Sequence, residues 1–192
     1  MTAGDGAGSW VPTRLRPQPG ADATLEPSGT VHDEPEPEPA ITVGIALPKG
    51  ERGDWAVQKL TEVGVDVIVP LVAERSVARW APDRADRARD RLERVVRAAG
   101  MQSRRARLPR LEDPVGVAEL TSSRPGRICA ADLGGGPASL ERPVVMVGPE
   151  GGWAPGELAP DLPRVGLGPT VLRTETAAVV VGSALVMLRH FA

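Results

Sequence analysis

"ITVGIALPKGERGDWAVQKLTEVGVDVIVPLV" runs from Ile41 to Val72 and changes period twice. ITVGIALP (41–48) is apolar on both faces, as a strand covered on both sides must be. DWAVQKLTEVGV (54–65) has helical spacing: Trp55, Ala56, Leu60 and Val63 share one face, Asp54 is placed to cap the helix and Gly64 to end it. Val65–Val72 is again apolar on both faces. A strand, a helix and a second two-faced strand are the unit of a parallel sheet.

The alternation continues downstream. Asp83–Gln102 reads as a long helix with Ala85, Ala88, Leu92, Val95, Val96 and Ala99 on one side. GRICAADL (126–133), PVVMVG (143–148) and RVGLG (164–168) read as strands, and Thr174–His190 as the last helix. No internal repeat is present. The pattern predicts an α/β fold with a mostly parallel sheet flanked by helices.

Composition narrows the chemistry. The 192 residues suit one good-sized domain, or a domain plus a fragment. The 41% apolar and 25% charged content is that of a soluble globular chain, and a net charge of −2 does not by itself call for nucleic acid. The single Cys129 forms no internal disulfide, so a reducing, cytoplasmic compartment is expected. There is no signal-peptide pattern, and the longest apolar stretch, Ala177–Leu188, is shorter than the roughly 20 residues that cross a bilayer. His32 and His190 stand at opposite ends with one cysteine and no tyrosine, which leaves no His/Cys zinc site and no well-placed Ser-His-Asp triad. No metal is expected.

Residues 1–40 differ in texture: they carry seven acids against Arg14 and Arg16, and Glu34–Pro39 alternates Glu with Pro. The composition reads as a solvated tail, with short strands around Ser9–Arg16 and Leu25–Val31 as the alternative.

Arginine outnumbers lysine 21 to 2, and residues 79–110 hold eleven arginines against Asp83, Asp86, Asp90 and Glu93. Ion pairs at i,i+4 account for Arg87 to Arg97 as a solvated helix face. Arg104, Arg105, Arg107 and Arg110 have no acid beside them in the sequence, and suggest a phosphate-bearing partner.

VVMVGPEGGW (144–153) is a strand running into Gly148-Pro149-Glu150-Gly151-Gly152. Glycines there allow positive φ and close backbone approach to a ligand beyond the strand's carboxyl end. The pattern is neither a P-loop nor a Rossmann fingerprint. LGGGP (133–137) reads as a flexible loop. In VGLGPTVLRTETAA (165–178), Thr174 suits a helix cap and Glu175 the helix dipole, which leaves Arg173 unexplained.

Together, LPKGERGDWAVQKLTEVGVDVIVPLVAERSV (47–77), AAGMQSRRARLP (98–109), VGPEGGW (147–153) and LGPTVLRTETAA (167–178) closely resemble the RsmE family of the SPOUT superfamily. The match covers roughly residues 41–192, in order and at family spacing. The resemblance implies an S-adenosylmethionine-dependent enzyme that methylates N3 of a uridine in the decoding region of 16S ribosomal RNA in the small subunit. It implies a deep C-terminal trefoil knot and a homodimer. Val147, Gly148, Glu150, Gly151 and Gly152, with Leu167, Gly168, Val171, Leu172, Arg173 and Thr176, would be the cofactor-binding residues. Arg173 would act on the uracil or clamp a phosphate. Glu175 and Glu150 are candidates for a base, with Arg173 and Glu175 the catalytic pair. Lys49, Arg52, Lys59, Arg75, Arg79, Arg104 and Arg105 are candidates for RNA contact.

The chain departs from the family at its start. Residues 1–38 look like only the later strands of a PUA-like RNA-binding barrel plus a linker, ahead of a methyltransferase domain at 39–192. Unpaired barrel edges would favour disorder over residues 1–35. Gly100-Met101 also stands where the family more often has Ala-Glu. Two other functions compete: another SPOUT methyltransferase, of transfer RNA or ribose 2′-hydroxyls, and a catalytically idle RNA-binding assembly factor.

Overall fold

The computed structural model describes residues 1–18, 20–76 and 82–192. The amino-terminal segment is ordered β-structure, against the reading of a solvated tail. Strands β1 (Thr2–Gly4), β2 (Ser9–Gln18), β3 (Ala21–Pro27) and β4 (His32–Asp33) form an antiparallel sheet in the order β1-β2-β3, with β4 also paired to β2. Leu15 and Leu25 pair across β2 and β3, and both are exposed. Cross-links hold the sheet instead of a core. The Trp10 ring stacks on His32 at 4.3 Å, its Nε1 donates to Glu34 Oε1 at 3.2 Å, and Ser9 Oγ donates to Asp33 Oδ1 at 2.5 Å.

The second sheet has seven strands: β5 (Thr42–Ile45), β6 (Val67–Val72), β7 (Arg110–Leu111), β8 (Val115–Gly116), β9 (Ile128–Gly136), β10 (Val144–Val147) and β11 (Arg164–Val165). Its order is β11-β9-β10-β5-β6-β7, with β8 also on β6, and every pairing is parallel. Helices α1 (Glu51–Val63), α2 (Pro82–Ser103) and α4 (Thr174–Phe191) cover one face, and α3 (Val117–Ser123) covers the other.

Two-faced strands follow from that cover. Val43, Ile45, Ile68, Val145 and Val147 enter the core shared with α1, α2 and α4. Their neighbours Val67, Val69, Leu71, Val144 and Met146 enter the core shared with α3. Side chains alternate sides along a strand, so both parities must be apolar.

Several local expectations change. Helix α1 begins at Glu51 with Gly50 as its N-cap, so Asp54 lies inside the first turn and caps nothing. Gly64 ends the helix as expected, at φ 102°. Trp55 is exposed, and the buried face is Ala56, Val57, Leu60 and Thr61. On α2, Leu92, Val96 and Ala99 are buried; the side chain of Ala85 lies outside the described residues. Residues 133–136 are not a flexible loop but the end of β9, where Gly136 pairs with Val165 of β11. Gly100 has no room for a Cβ, which would overlap the Leu108 side chain.

The basic cluster is largely internal wiring. Arg105 Nη1 donates to the carbonyls of Thr61 at 2.9 Å and Val65 at 2.8 Å, and its Nη2 lies 3.6 Å from Asp66. Asp66 also pairs with Arg189 and accepts from Ile41 N at 2.8 Å; Arg189 reaches on to the Pro39 carbonyl at 3.0 Å. One largely buried carboxylate thus ties the ends of α2 and α4 to the start of β5. Burial holds the Arg105 guanidinium below its ordinary pKa, with Asp66 opposing. Arg107 spans to the amino-terminal sheet, donating to the Glu34 carbonyl at 2.9 Å and lying 3.6 Å from Glu36. Backbone bonds from Gly8 to Ala106 and from Leu108 to Gly6 complete that junction. Arg110 pairs with Glu112 at 3.2 Å. For Arg105 and Arg107 the fold supplies acids that are far away in sequence, whereas the partner of Arg110 is two residues on. Arg89 does pair with Glu93 at i,i+4, at 3.0 Å.

Helix α4 lies close on α1 and the turn that follows it. A Cβ on Gly182 would stand 2.9 Å from Val65 Cγ2 and 3.2 Å from Leu60 Cδ2. Among the described residues, no helix is long and apolar enough to cross a membrane.

Candidate functional site

A cavity of about 200 Å³ opens beyond the carboxyl end of β10. Three segments wall it: Ala131–Leu133, the part of β9 just past its pairing with β10, the Gly148–Trp153 turn after β10, and the loop from Leu167 into α4. Parallel sheets bring such loops to one edge, so segments far apart in sequence share one site.

The glycine turn is held from several sides. A Cβ on Gly148 would stand 2.8 Å from Trp153 Cε2, so the indole packs directly on the backbone. Trp153 Nε1 donates to the Ala131 carbonyl at 3.3 Å, joining the first wall to the second. Arg75 Nη1 donates to the Gly151 carbonyl at 2.9 Å. Glu157 accepts from Ala154 N at 2.8 Å and from Glu74 N at 2.6 Å, tying the turn to the exit of β6. Gly152 at φ 69° and Gly168 at φ 120° need the freedom that glycine has.

Thr174 joins the second wall to the third. It does not cap α4: Arg173 is the N-cap and makes no side-chain capping bond. The buried Thr174 instead donates from Oγ1 to the Gly148 carbonyl at 2.9 Å. Glu175 is buried too, and its Oε2 has no hydrogen-bond partner. Arg52, at the start of α1, pairs with Glu150 and lies 3.9 Å from Glu175 Oε1. A smaller cavity of about 50 Å³ adjoins on this side, with Lys49, Arg52, Glu150 and Thr174 in its wall. The Arg173 side chain is exposed and has no ion pair among the described residues.

Of the residues expected at a cofactor, Gly148, Glu150, Gly152, Leu167, Gly168, Val171 and Leu172 line the larger cavity. Val147 does not: its side chain is buried in the sheet. Gly151 faces Arg75, and Arg173 and Thr176 lie outside the lining. Ala131, Asp132, Leu133, Trp153, Thr174 and Ala177 line it although they fall outside the expected cofactor loops, Val147–Gly152 and Leu167–Arg173. No local sequence signal marks 131–133; they reach the cavity because β9 pairs with β10 only as far as Ala130.

The RNA candidates scatter. Lys49 and Arg52 flank the smaller cavity, and Arg104 is exposed beyond the end of α2. Lys59 pairs with Glu62 at 2.6 Å, Arg75 is bound to the glycine turn, and Arg105 is interior, where its donors serve the fold. Arg79 lies outside the described residues.

The sequence profile of the RNA methyltransferase domain family matches residues 34–186. The chain belongs to that family. The "Ribosomal RNA small subunit methyltransferase E" of Mycobacterium bovis is 39% identical over 173 residues, covering 80% of this chain and 65% of the relative. The chain thus spans 65% of the length of that relative and 64% of that of its Bacillus subtilis counterpart. Among solved structures, a ribosomal RNA small subunit methyltransferase E from Neisseria gonorrhoeae bound to S-adenosyl methionine superposes with a TM-score of 0.80 at 29% identity, covering 98% of this chain and 82% of that one. A probable rRNA-methyltransferase from Porphyromonas gingivalis gives 0.82 at 26% identity, covering 100% and 85%. The Mycobacterium and Neisseria proteins bear the name of the family that the motifs resemble. The methyltransferase domain holds, among its described residues, no group of three or more His, Cys, Asp or Glu that could bind a metal.

Proposed function

We propose that this chain is an S-adenosylmethionine-dependent methyltransferase acting on N3 of a uridine in the decoding region of 16S ribosomal RNA of the small subunit. The observation that carries the reading is the cavity where the GPEGG turn meets the LRTETAA segment, locked by the Thr174–Gly148 bond. The names of the relatives and the cofactor in the Neisseria structure support it.

The lining fits that cofactor. Glycine backbone and apolar Leu167, Val171, Leu172 and Ala177 suit an adenosine, and the two carboxylates Asp132 and Glu150 suit a cation. When bound, S-adenosylmethionine supplies an electrophilic methyl group on sulfur. The protein's part is position and charge. Uracil N3 carries an imide proton that must leave before the nitrogen attacks. Glu175, with a buried oxygen lacking a partner, can accept a proton, and Arg52 fixes it beside Glu150. Arg173, exposed at the entrance to α4, can stabilise negative charge at uracil O2 or O4, or hold a neighbouring phosphate. Lys49 and Arg104 are exposed cations available to the RNA backbone.

The return of the chain after β11 through Leu167–Arg173 into α4, which packs on α1 and β5, supports a trefoil knot. Exposed Val180, Met187 and Phe191 on α4 support a homodimer. The four short strands ahead of residue 34 support a PUA-like RNA-binding unit. The buried, lone Cys129 supports a cytoplasmic setting.

The test is transfer of label from S-adenosylmethionine to small ribosomal subunits, followed by mass analysis of the nucleosides. 3-Methyluridine is expected. A 2′-O-methyl nucleoside, or label only in transfer RNA, would replace this reading with another SPOUT methyltransferase. Binding without transfer would leave the idle assembly factor.

A further inference from the structure

The charge of the larger cavity is one-sided. Among the residues that line it, only Asp132 and Glu150 are ionisable, and both are acids. Glu150 is already paired with Arg52. Asp132 is held more loosely. Its Oδ1 accepts from Leu133 N at 2.9 Å, and its Oδ2 forms a long ion pair with Arg164, 3.8 Å from Nε and beyond hydrogen-bond reach. The carboxylate is 49% exposed, at the edge of a cavity whose other walls are mostly glycine and apolar side chains, with Glu150, Thr170 and Thr174 among them. An acid so placed leaves net negative charge toward the ligand.

We infer that Asp132 is the charge partner of the cofactor's cationic centre, the sulfonium or the α-ammonium, and sets the preference for a charged cofactor over a neutral nucleoside thioether. The inference rests on reading this cavity as the S-adenosylmethionine site. A carboxylate separated from a cation by several ångströms, at the effective dielectric of a protein surface, changes affinity by about three- to tenfold. A base or sugar contact would not distinguish charged from neutral ligands, because both carry the same adenosine.

Isothermal titration of the full chain with three ligands tests this. S-Adenosylmethionine carries both cations, S-adenosylhomocysteine only the ammonium, and 5′-methylthioadenosine neither. Asp132→Asn should weaken S-adenosylmethionine about three- to tenfold while 5′-methylthioadenosine stays within about twofold. Asp132→Glu should stay near wild type for both. S-Adenosylhomocysteine identifies the partner: unchanged affinity assigns the sulfonium, and parallel weakening assigns the ammonium. Equal weakening of all three ligands would mean that Asp132 only braces Arg164, and would overturn the inference. So would unchanged affinity for S-adenosylmethionine. A wild-type chain that binds none of the three would overturn the cofactor reading itself, and this inference with it.

Discussion

Thr174→Val should separate the lock between the two motif loops from the packing around it. Valine nearly matches threonine in shape, so the 3%-exposed site stays filled. The change removes the 2.9 Å bond from Oγ1 to the Gly148 carbonyl. Such a bond contributes about 0.5–1.5 kcal/mol net, and a carbonyl left short of partners adds to the cost. Gly148 is only half-buried, so water recovers part of that addition. A loss of about 1–2 kcal/mol follows, or roughly 2–8 °C in Tm for a chain of this length. The bond also joins two walls of the cavity. Freeing the glycine turn by a similar free energy should therefore weaken S-adenosylmethionine by up to about tenfold. Urea unfolding and calorimetric binding read the two effects, and Thr174→Ser should restore both. The reasoning is refuted if Thr174→Val keeps the wild-type urea midpoint and binds the cofactor within twofold.

Three further outcomes are expected. Arg173→Ala should abolish most methyl transfer while cofactor affinity, by titration, stays within a few-fold, because the side chain lies outside the cavity lining; surviving turnover would remove Arg173 from the mechanism. Asp66→Asn leaves Arg105 and Arg189 without their shared anion and should cost about 3 kcal/mol or more in urea unfolding, whereas a loss below 1 kcal/mol would mean that the network is dispensable. Cys129, pushed up to about 11 from its ordinary 9.0 by burial, with Arg142 partly opposing, holds its proton more tightly in the folded state. Its contribution to stability is therefore complete below pH 9 and lost as pH rises from 9 toward 11. The unfolding free energy measured across that window should fall more steeply with pH for wild type than for Cys129→Ala.

The sequence by itself determined the order and type of the main elements. Alternation of two-faced strands with helices needs only local periodicity, and it specified β5, α1, β6, α2, β10 and α4. The glycines at 148, 152 and 168 marked the cavity for a similarly local reason: backbone approach and positive φ restrict which residue a position accepts. Short elements escaped, because β7 and β8 are two residues each and exist only through pairing with β6. The amino-terminal strands likewise hold by cross-strand contacts that composition does not reveal. Charge was the least legible property. Arg105 and Arg107 look free in sequence, yet their partners lie about forty and seventy residues away, at Thr61, Val65 and Glu34. Thr174 looked like a cap and proved to be a lock, because its acceptor stands 26 residues earlier on another loop. Asp132 reached the cavity only because β9 lies beside β10 in the sheet. Ion pairs, burial and cavity walls depend on which distant segments become neighbours, and only the tertiary structure decides that.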